Sequence, residues 1–305
     1  MLALEELDKY LKAGEIAAEV REAVPDVVDE GKKLIDICEW VEGRIRSLGG
    51  RPAFPCNVSV NEVAAHYTSP PGDEATIPPG AIVKVDLGVH VDGYIADTAT
   101  TICLDPAKER LARASRAALE AALREMRPGI RISHVSSIIE RTIRAYGCKP
   151  ISNLTGHDLD RYTIHAGTAI PNVSTISLKK LRPGRAYAIE PFVTEPWGDG
   201  VVIEAPVSTI FRLVRPTVKG KGKRASELLR AIYNEFKTLP FAERWLWRLL
   251  PRSKYEQAWR ELLDKGAVMS YPVFIERSRC PVAQFEHTVV VLEDKCIITT
   301  LPGGP

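Results

Sequence analysis

Apolar residues recur at helical spacing from Glu5 to Val24, and Pro25 then interrupts the run. The periodicity resumes and predicts a second helix from about Val27 to Leu48, stopped by Gly49-Gly50. The next stretch, FPCNVSVNEVAAHYTSPPGD, reads as a Pro-rich irregular segment ending in turn residues. Ala81 to Thr101 then reads as two strands joined by Asp92-Gly93, a strong hairpin signal. Two further helices are predicted near Ala107–Met126 and Ser133–Tyr146, the first ended by Pro128-Gly129. The second half follows a similar order. Strand-like and loop segments surround GHDLDRYTIHAG, and strands are predicted at Arg185–Val193, Val201–Arg212 and Ala283–Glu293.

Between Arg215 and about Gly266 the texture changes. KGKGKR opens the section, and the amphipathic patterns SELLRAIYNEF, FAERWLWRLL and SKYEQAWRELLDKG follow. The expected organisation is an α+β fold made of residues 1-214 and 267-305, with 215-266 as a helical insertion subdomain. KGKGKR reads as a solvated turn, with an RNA or ribosome contact as the alternative. Trp245, Trp247 and Trp259 are expected in the core of the insertion.

Composition narrows the function classes. The 305 residues carry 41 Lys plus Arg against 39 Asp plus Glu, a net charge of +2, which argues against a chain that coats nucleic acid. The charged N-terminal region lacks the apolar core of a signal peptide. No run approaches the roughly 20 apolar residues of a membrane helix. A soluble, cytoplasmic protein with no membrane or nucleic-acid requirement is expected. The 6 cysteines are scattered without a CxxC pair, which argues against a cysteine zinc site and a disulfide scaffold.

Candidate chemistry begins in VDLGVHVDGYIADTATT. Asp86 and Asp97 interrupt apolar strands, and a buried carboxylate is costly unless a partner takes its charge. A two-residue turn at Asp92-Gly93 sets Asp97 opposite Gly88, on the face that also carries Asp86. The two carboxylates are then diagonal neighbours, with Cα atoms about 7–8 Å apart. A four-residue loop gives the same face, and an odd loop would not. Gly88 between them removes a side chain that would crowd the space. Two acids so placed either share a proton or hold a cation. Glu190 in AYAIEPFV, Glu286 in AQFEHTVVV and His157 in the loop segment NLTGHD add further ligand types. Four carboxylates and one imidazole would suit two divalent ions about 3.5–4 Å apart. Oxygen-rich ligation with one His suits Mn, Fe, Co or Zn. Residue types alone leave the acid dyad and the metal site both open.

The segments SVNEVAAHYTSPPGD, VDLGVHVDGYIADTATT, GHDLDRYTIHAG followed by IPN, IEPF and AQFEHT occur in order from about Phe54 to Glu286. In them the chain resembles type II methionine aminopeptidases of the short archaeal kind, within the M24 pita-bread metallopeptidases. The resemblance implies the pita-bread fold, pseudo-two-fold α+β halves around a curved antiparallel sheet, with a type II helical insertion. It implies five metal ligands: Asp86, Asp97, His157, Glu190 and Glu286. Asp97 and Glu286 would bridge two ions, Asp86 would complete one site, and His157 and Glu190 the other. An activated hydroxide would attack the first peptide carbonyl, with Glu190 shuttling the proton. His165 would help hold the scissile amide, and His66 would lie beside the reacting peptide. Phe54, Ile164 and Tyr271 would enclose the initiator methionine. The implied substrates are nascent polypeptide N-termini with a small second residue. A monomer is expected, with ribosome association as a further expectation.

Two alternatives accompany this reading. An X-Pro dipeptidase of the same fold would share the ligand pattern. The absence of a large N-terminal domain, the helical insertion and QFEHT favour the methionine enzyme. An inactive pita-bread binding module would be expected to lose ligand residues, and all five are present.

Overall fold

The structure, a computed structural model, describes residues 2–247 and 252–303, and within 252–254 the helical backbone alone. Helix α1 (Leu4–Ala23) follows the apolar period, and Pro25 sits in a 3-10 turn over Val24–Asp26. Helix α2 (Leu34–Ser47) starts later than the expected Val27. Gly31, at φ +75°, donates to the Ile77 carbonyl, and Leu34 donates to that of Ala75. Residues ahead of α2 are thus tied laterally, and the helix begins once those bonds are made.

The segment expected to be irregular is instead strand β1 (Arg51–Val60), followed by β2 (Val63–Ala65). The register of β1 against the strand Ile82–Val91 shifts between Pro52 and Phe54 and between Phe54 and Asn57. Pro55 therefore falls at a bulge, where a missing N–H is tolerated. Strands β3 (Ile82–Val91) and β4 (Tyr94–Cys103) form the expected hairpin, with Asp92 and Gly93 at φ +51° and +88°. Gly88 pairs with Asp97 and Asp86 with Ala99, as the two-residue turn requires. The sheet order is β1-β3-β4. Val83, Val85, Leu87 and Val89 face α1 and α2, packing with Ile16, Val20, Ile37 and Val41. The alternation turns Asp86 and Gly88 to the opposite face.

The second half begins with α3 (Glu109–Arg124) and α4 (Ile132–Ala145). Strands β5 (Lys149–Pro150), β6 (Thr155–Leu159), β7 (Ala169–Pro171), β8 (Arg185–Ile189), β9 (Phe192–Thr194) and β10 (Val202–Leu213) follow. The single strand expected over Arg185–Val193 is divided at Glu190-Pro191, because proline offers no ladder N–H. His157 lies in β6 rather than in a loop, paired with Ala188 on one side and Ala169 on the other.

The section expected to be helical contains α5 (Lys223–Phe236), β11 (Phe241–Ala242), α6 (Glu243–Leu246) and α7 (Arg252–Asp264). FAERWLWRLL thus opens as a strand and a single helical turn, and its last three residues lie outside the described ones. KGKGKR is a turn whose last two residues open α5. Trp245 and Trp259 pack with Leu228, Ile232, Phe241 and Leu262, whereas Trp247 is exposed, contrary to expectation.

Strands β12 (Val268–Glu276), β13 (Val282–Gln284), β14 (His287–Val291) and β15 (Cys296–Ile298) complete the chain. The expected strand over Ala283–Glu293 divides at Phe285-Glu286 as the backbone passes from one sheet to another. The larger second-half sheet has the order β15-β14-β8-β6-β7, and the other two sheets have the orders β13-β9-β5 and β11-β10-β12-β2. Leu111, Leu119, Val135 and Ile139 of α3 and α4 pack on Ile189, Val193 and Val289. The two halves join where Ala99 and Glu286 exchange backbone hydrogen bonds and the Thr288 hydroxyl bridges the N–H and C=O of Asp97. No helix among the described residues is long and apolar enough to cross a membrane.

Candidate metal centre and substrate cavity

A cavity of about 270 Å³ opens where the halves meet. Its wall includes Phe54, His66, Asp86, Asp97, His157, Ile164, His165, Glu190, Tyr271 and Glu286, so every site residue expected from sequence reaches one space. Asp97 and Glu286 are buried, and Asp86, His157 and Glu190 are half-buried against the cavity. They come from β3, β4, β6 and the breaks after β8 and before β14. Both glutamates therefore project from places where a strand changes sheets.

The candidate ligand atoms converge. Asp97, His157 and Glu286 each offer one atom within 4.8 Å of the others. His157 Nε2 is 3.7 Å from Asp97 Oδ2 and 3.4 Å from Glu190 Oε1. Gln284 Nε2 is 3.3 Å from both Glu190 Oε2 and Glu286 Oε2. Buried oxygens of Asp86, Asp97 and Glu286 find no hydrogen-bond partner among protein groups.

The electrostatics follow from that crowding. Burial, then repulsion from Asp86, pushes Asp97 well above the usual carboxylate range. Burial, then Asp97 and other acids, does the same to Glu190 and Glu286. Burial lifts Asp86 to about 7. A proton-sharing pair would account for two carboxylates, not for four acids, three of them with orphaned oxygens, around one imidazole. Burial, then His165, holds His157 neutral, the form that ligates metals. This donor set fits divalent cations.

The cavity wall carries the remaining groups. His66 sits at φ +65°, its ring packed on Tyr271 and Phe274 at centroid distances of 5.6 and 4.8 Å. Burial, then His165, pushes its pKa down to about 4. The ring of His165, exposed at the mouth, stands 4.4 Å from that of His157. Phe54 and Ile164 are buried and Tyr271 half-buried.

Sequence reasoning missed Asn57 and Gln284. Asn57 pairs in register with Asp86 and lines the cavity, its amide oxygen unpartnered. Reading its segment as irregular left it without a face. Gln284 lies two residues before Glu286, a spacing that sets strand side chains on one face, so that signal was available.

The sequence profile of metallopeptidase family M24 matches residues 8–209. A methionine aminopeptidase of Saccharolobus solfataricus is 46% identical over 297 residues, covering 97% of this chain and 98% of the relative. The chain belongs to the M24 metallopeptidases, among the methionine aminopeptidases. A methionine aminopeptidase of Thermococcus kodakarensis is likewise 46% identical, over 97% of this chain and 100% of its own. Among solved structures, a methionine aminopeptidase from Thermotoga maritima superposes with a TM-score of 0.70 at 26% identity, covering 98% of both chains. A thermophilic Arx1 gives 0.83 at 21% identity, over 100% of this chain and 93% of that one. A prolidase from Pyrococcus furiosus gives 0.63 at 17%, over 98% and 65%. The fold is the pita-bread fold, as the sequence resemblance implied.

Proposed function

We propose that this aminopeptidase removes the initiator methionine from nascent polypeptides with a small second residue, using two divalent ions. The observation that carries the reading is the convergence of Asp97, His157 and Glu286 within 4.8 Å in a cavity that two further acids line. Asp86, Asp97 and Glu286 would hold one ion, and Asp97, His157, Glu190 and Glu286 the other. When bound, Co, Mn, Fe or Zn would supply Lewis acidity and lower the pKa of water towards neutral.

The protein's own groups supply the rest. Burial and neighbouring acids raise the affinity of Glu190 for a proton, which suits a group that accepts one and returns it to the leaving amine. His66 Nδ1 lies 3.3 Å from the Pro272 carbonyl. A carbonyl can only accept, so Nδ1 carries the proton and Nε2 is left to accept a substrate N–H. His165, at the mouth, is suited to donate to the oxygen of the scissile amide. Phe54, Ile164 and Tyr271 offer an apolar enclosure for a thioether side chain, which has few polar handles and must be selected by shape.

Nascent chains as substrates, a cytoplasmic setting, a monomeric state and 215-266 as an insertion subdomain belong to the same reading. The test is an assay of chelator-stripped protein on Met-Ala-Ser and on an X-Pro dipeptide, with each metal restored singly. Metal-restored release of methionine alone supports the proposal. Cleavage of only the X-Pro substrate replaces it with a dipeptidase.

A further inference from the structure

The backbone of His66 is in the left-handed region at φ +65°, which a residue with a side chain adopts at a cost and keeps only where its surroundings hold it. Thr209 supplies the hold. This buried residue of β10 donates its hydroxyl to the His66 carbonyl at 3.4 Å and accepts the Thr68 N–H at 3.2 Å. A hydroxyl has one proton and two lone pairs, so it can make both bonds at once. The backbone of His66-Tyr67-Thr68 is thus pinned at both ends by one side chain.

The position of Thr209 is itself unusual. The pairing of β10 with β12 slips between Ser208, opposite Pro272, and Ile210, opposite Tyr271. Thr209 falls at that irregularity, a feature that re-aims side chains beside active sites. The same β12 residues meet the imidazole, through the Pro272 carbonyl and the Tyr271 ring. Backbone and ring of His66 are therefore held by one strand pair.

A second layer stands behind the first. The Thr68 hydroxyl donates to the Cys56 carbonyl at 2.7 Å and accepts from Arg244 Nη1 at 2.8 Å. Arg244, on α6, also donates to the Ser69 carbonyl at 2.9 Å and pairs with buried Glu42. The helical section thus reaches the His66 segment through Arg244, while its Pro240 lines the cavity itself.

We propose that Thr209 is a positioning residue for His66, fixing the backbone that aims imidazole Nε2 at the substrate. The proposal rests on the reading that His66 contacts substrate. Thr209→Val keeps the shape and removes the hydroxyl, and Thr209→Ser keeps the hydroxyl. The experiment measures kcat and KM on Met-Ala-Ser, with metal content, for metal-loaded Thr209→Val, Thr209→Ser, His66→Ala and the double variant. Thr209→Val should lose roughly 10- to 100-fold in kcat/KM, the scale of a misplaced catalytic group. Metal content should be unchanged, and Thr209→Ser should stay near wild type. In the His66→Ala background, Thr209→Val should have no further effect, because its action runs through His66. An equal loss in both backgrounds, or wild-type activity of Thr209→Val beside an impaired His66→Ala, would overturn the proposal.

Imidazole ¹⁵N signals separate the clamp from the role of His66. If His66→Ala turns over normally, the substrate reading of His66 fails, and the ¹⁵N signals then decide the clamp. Loss of the Nδ1-protonated pattern of His66 in Thr209→Val upholds it, and an unchanged pattern rejects it. Thr209→Ala serves the same comparisons if Thr209→Val does not fold.

Discussion

The ring of Phe54 fills the space above Gly88. A Cβ added at Gly88 would lie 2.2 Å from Phe54 Cε1 and 2.5 Å from Cδ1. Gly88 stands beside Asp86 and opposite Asp97, so its missing side chain makes room for the cavity wall as well as for the carboxylates.

Gly88→Ala should therefore tilt Phe54 into the cavity and disturb substrate more than metal. We expect kcat/KM on Met-Ala-Ser to fall by roughly tenfold or more, mostly through KM, with metal content near wild type. Steady-state kinetics with metal analysis decides it. Unchanged KM would mean that Phe54 does not contact the substrate side chain.

Metal removal should expose the cost of the acid cluster. Four carboxylates crowd one another, and buried oxygens on Asp86, Asp97 and Glu286 lack partners. Cations that bind only the folded state stabilise it by RT ln(1 + c/Kd), where c is their free concentration. We expect chelation to lower Tm in the wild type. Glu286→Gln removes one of the repelling charges. It should melt higher than chelated wild type and retain less metal by elemental analysis. Full metal retention in that variant would refute the shared-ligand role of Glu286.

His90 should make stability depend on pH. It is buried, accepts the Gly93 N–H at 3.1 Å, and burial followed by Arg51 pushes its pKa down to about 4. Between about 6.5 and 4 the unfolded chain binds a proton there that the folded chain does not. The contribution is therefore complete above about 6.5 and is lost as pH falls towards 4. At about 1.4 kcal/mol per unit it is on the order of 3 kcal/mol. His90→Asn, which keeps an acceptor for Gly93, should flatten that part of the slope in urea unfolding. An identical slope would show that His90 does not titrate with unfolding.

Glu42 and Arg244 form a buried ion pair, and Glu42 also accepts from Trp245 Nε1 at 2.6 Å and the Cys56 N–H at 3.2 Å. Arg244→Met strands a carboxylate that burial already pushes above its usual range. Such a break costs about 3–5 kcal/mol. Adding Glu42→Gln should recover part of that loss. Additive losses in the double variant would mean the two residues do not act as a pair.

Local chemistry was enough to locate the hairpin and most helices. Apolar residues at helical spacing mark the buried faces of α1, α3 and α4, and Asp92-Gly93 sets the register that brings Asp86 and Asp97 to one face. The strand β1 was hidden because bulges around Pro52 and Phe54 break the alternation by which a strand is read. The late start of α2 depends on bonds to Ala75 and Ile77, which no nearby residue announces.

The sequence by itself determined which residues could ligate a metal and the hairpin that carries Asp86 and Asp97. The tertiary structure alone decided that His157 and Glu286 meet the Asp97 carboxylate, that Glu190 reaches His157, that Phe54 takes the space Gly88 leaves, and that Thr209 brackets His66. The reason is range. Helical periodicity and turn chemistry act over a few residues and survive in any context. Convergence of side chains from β4, β6 and two strand breaks depends on sheet register and on where strands change sheets, which the folded chain sets as a whole.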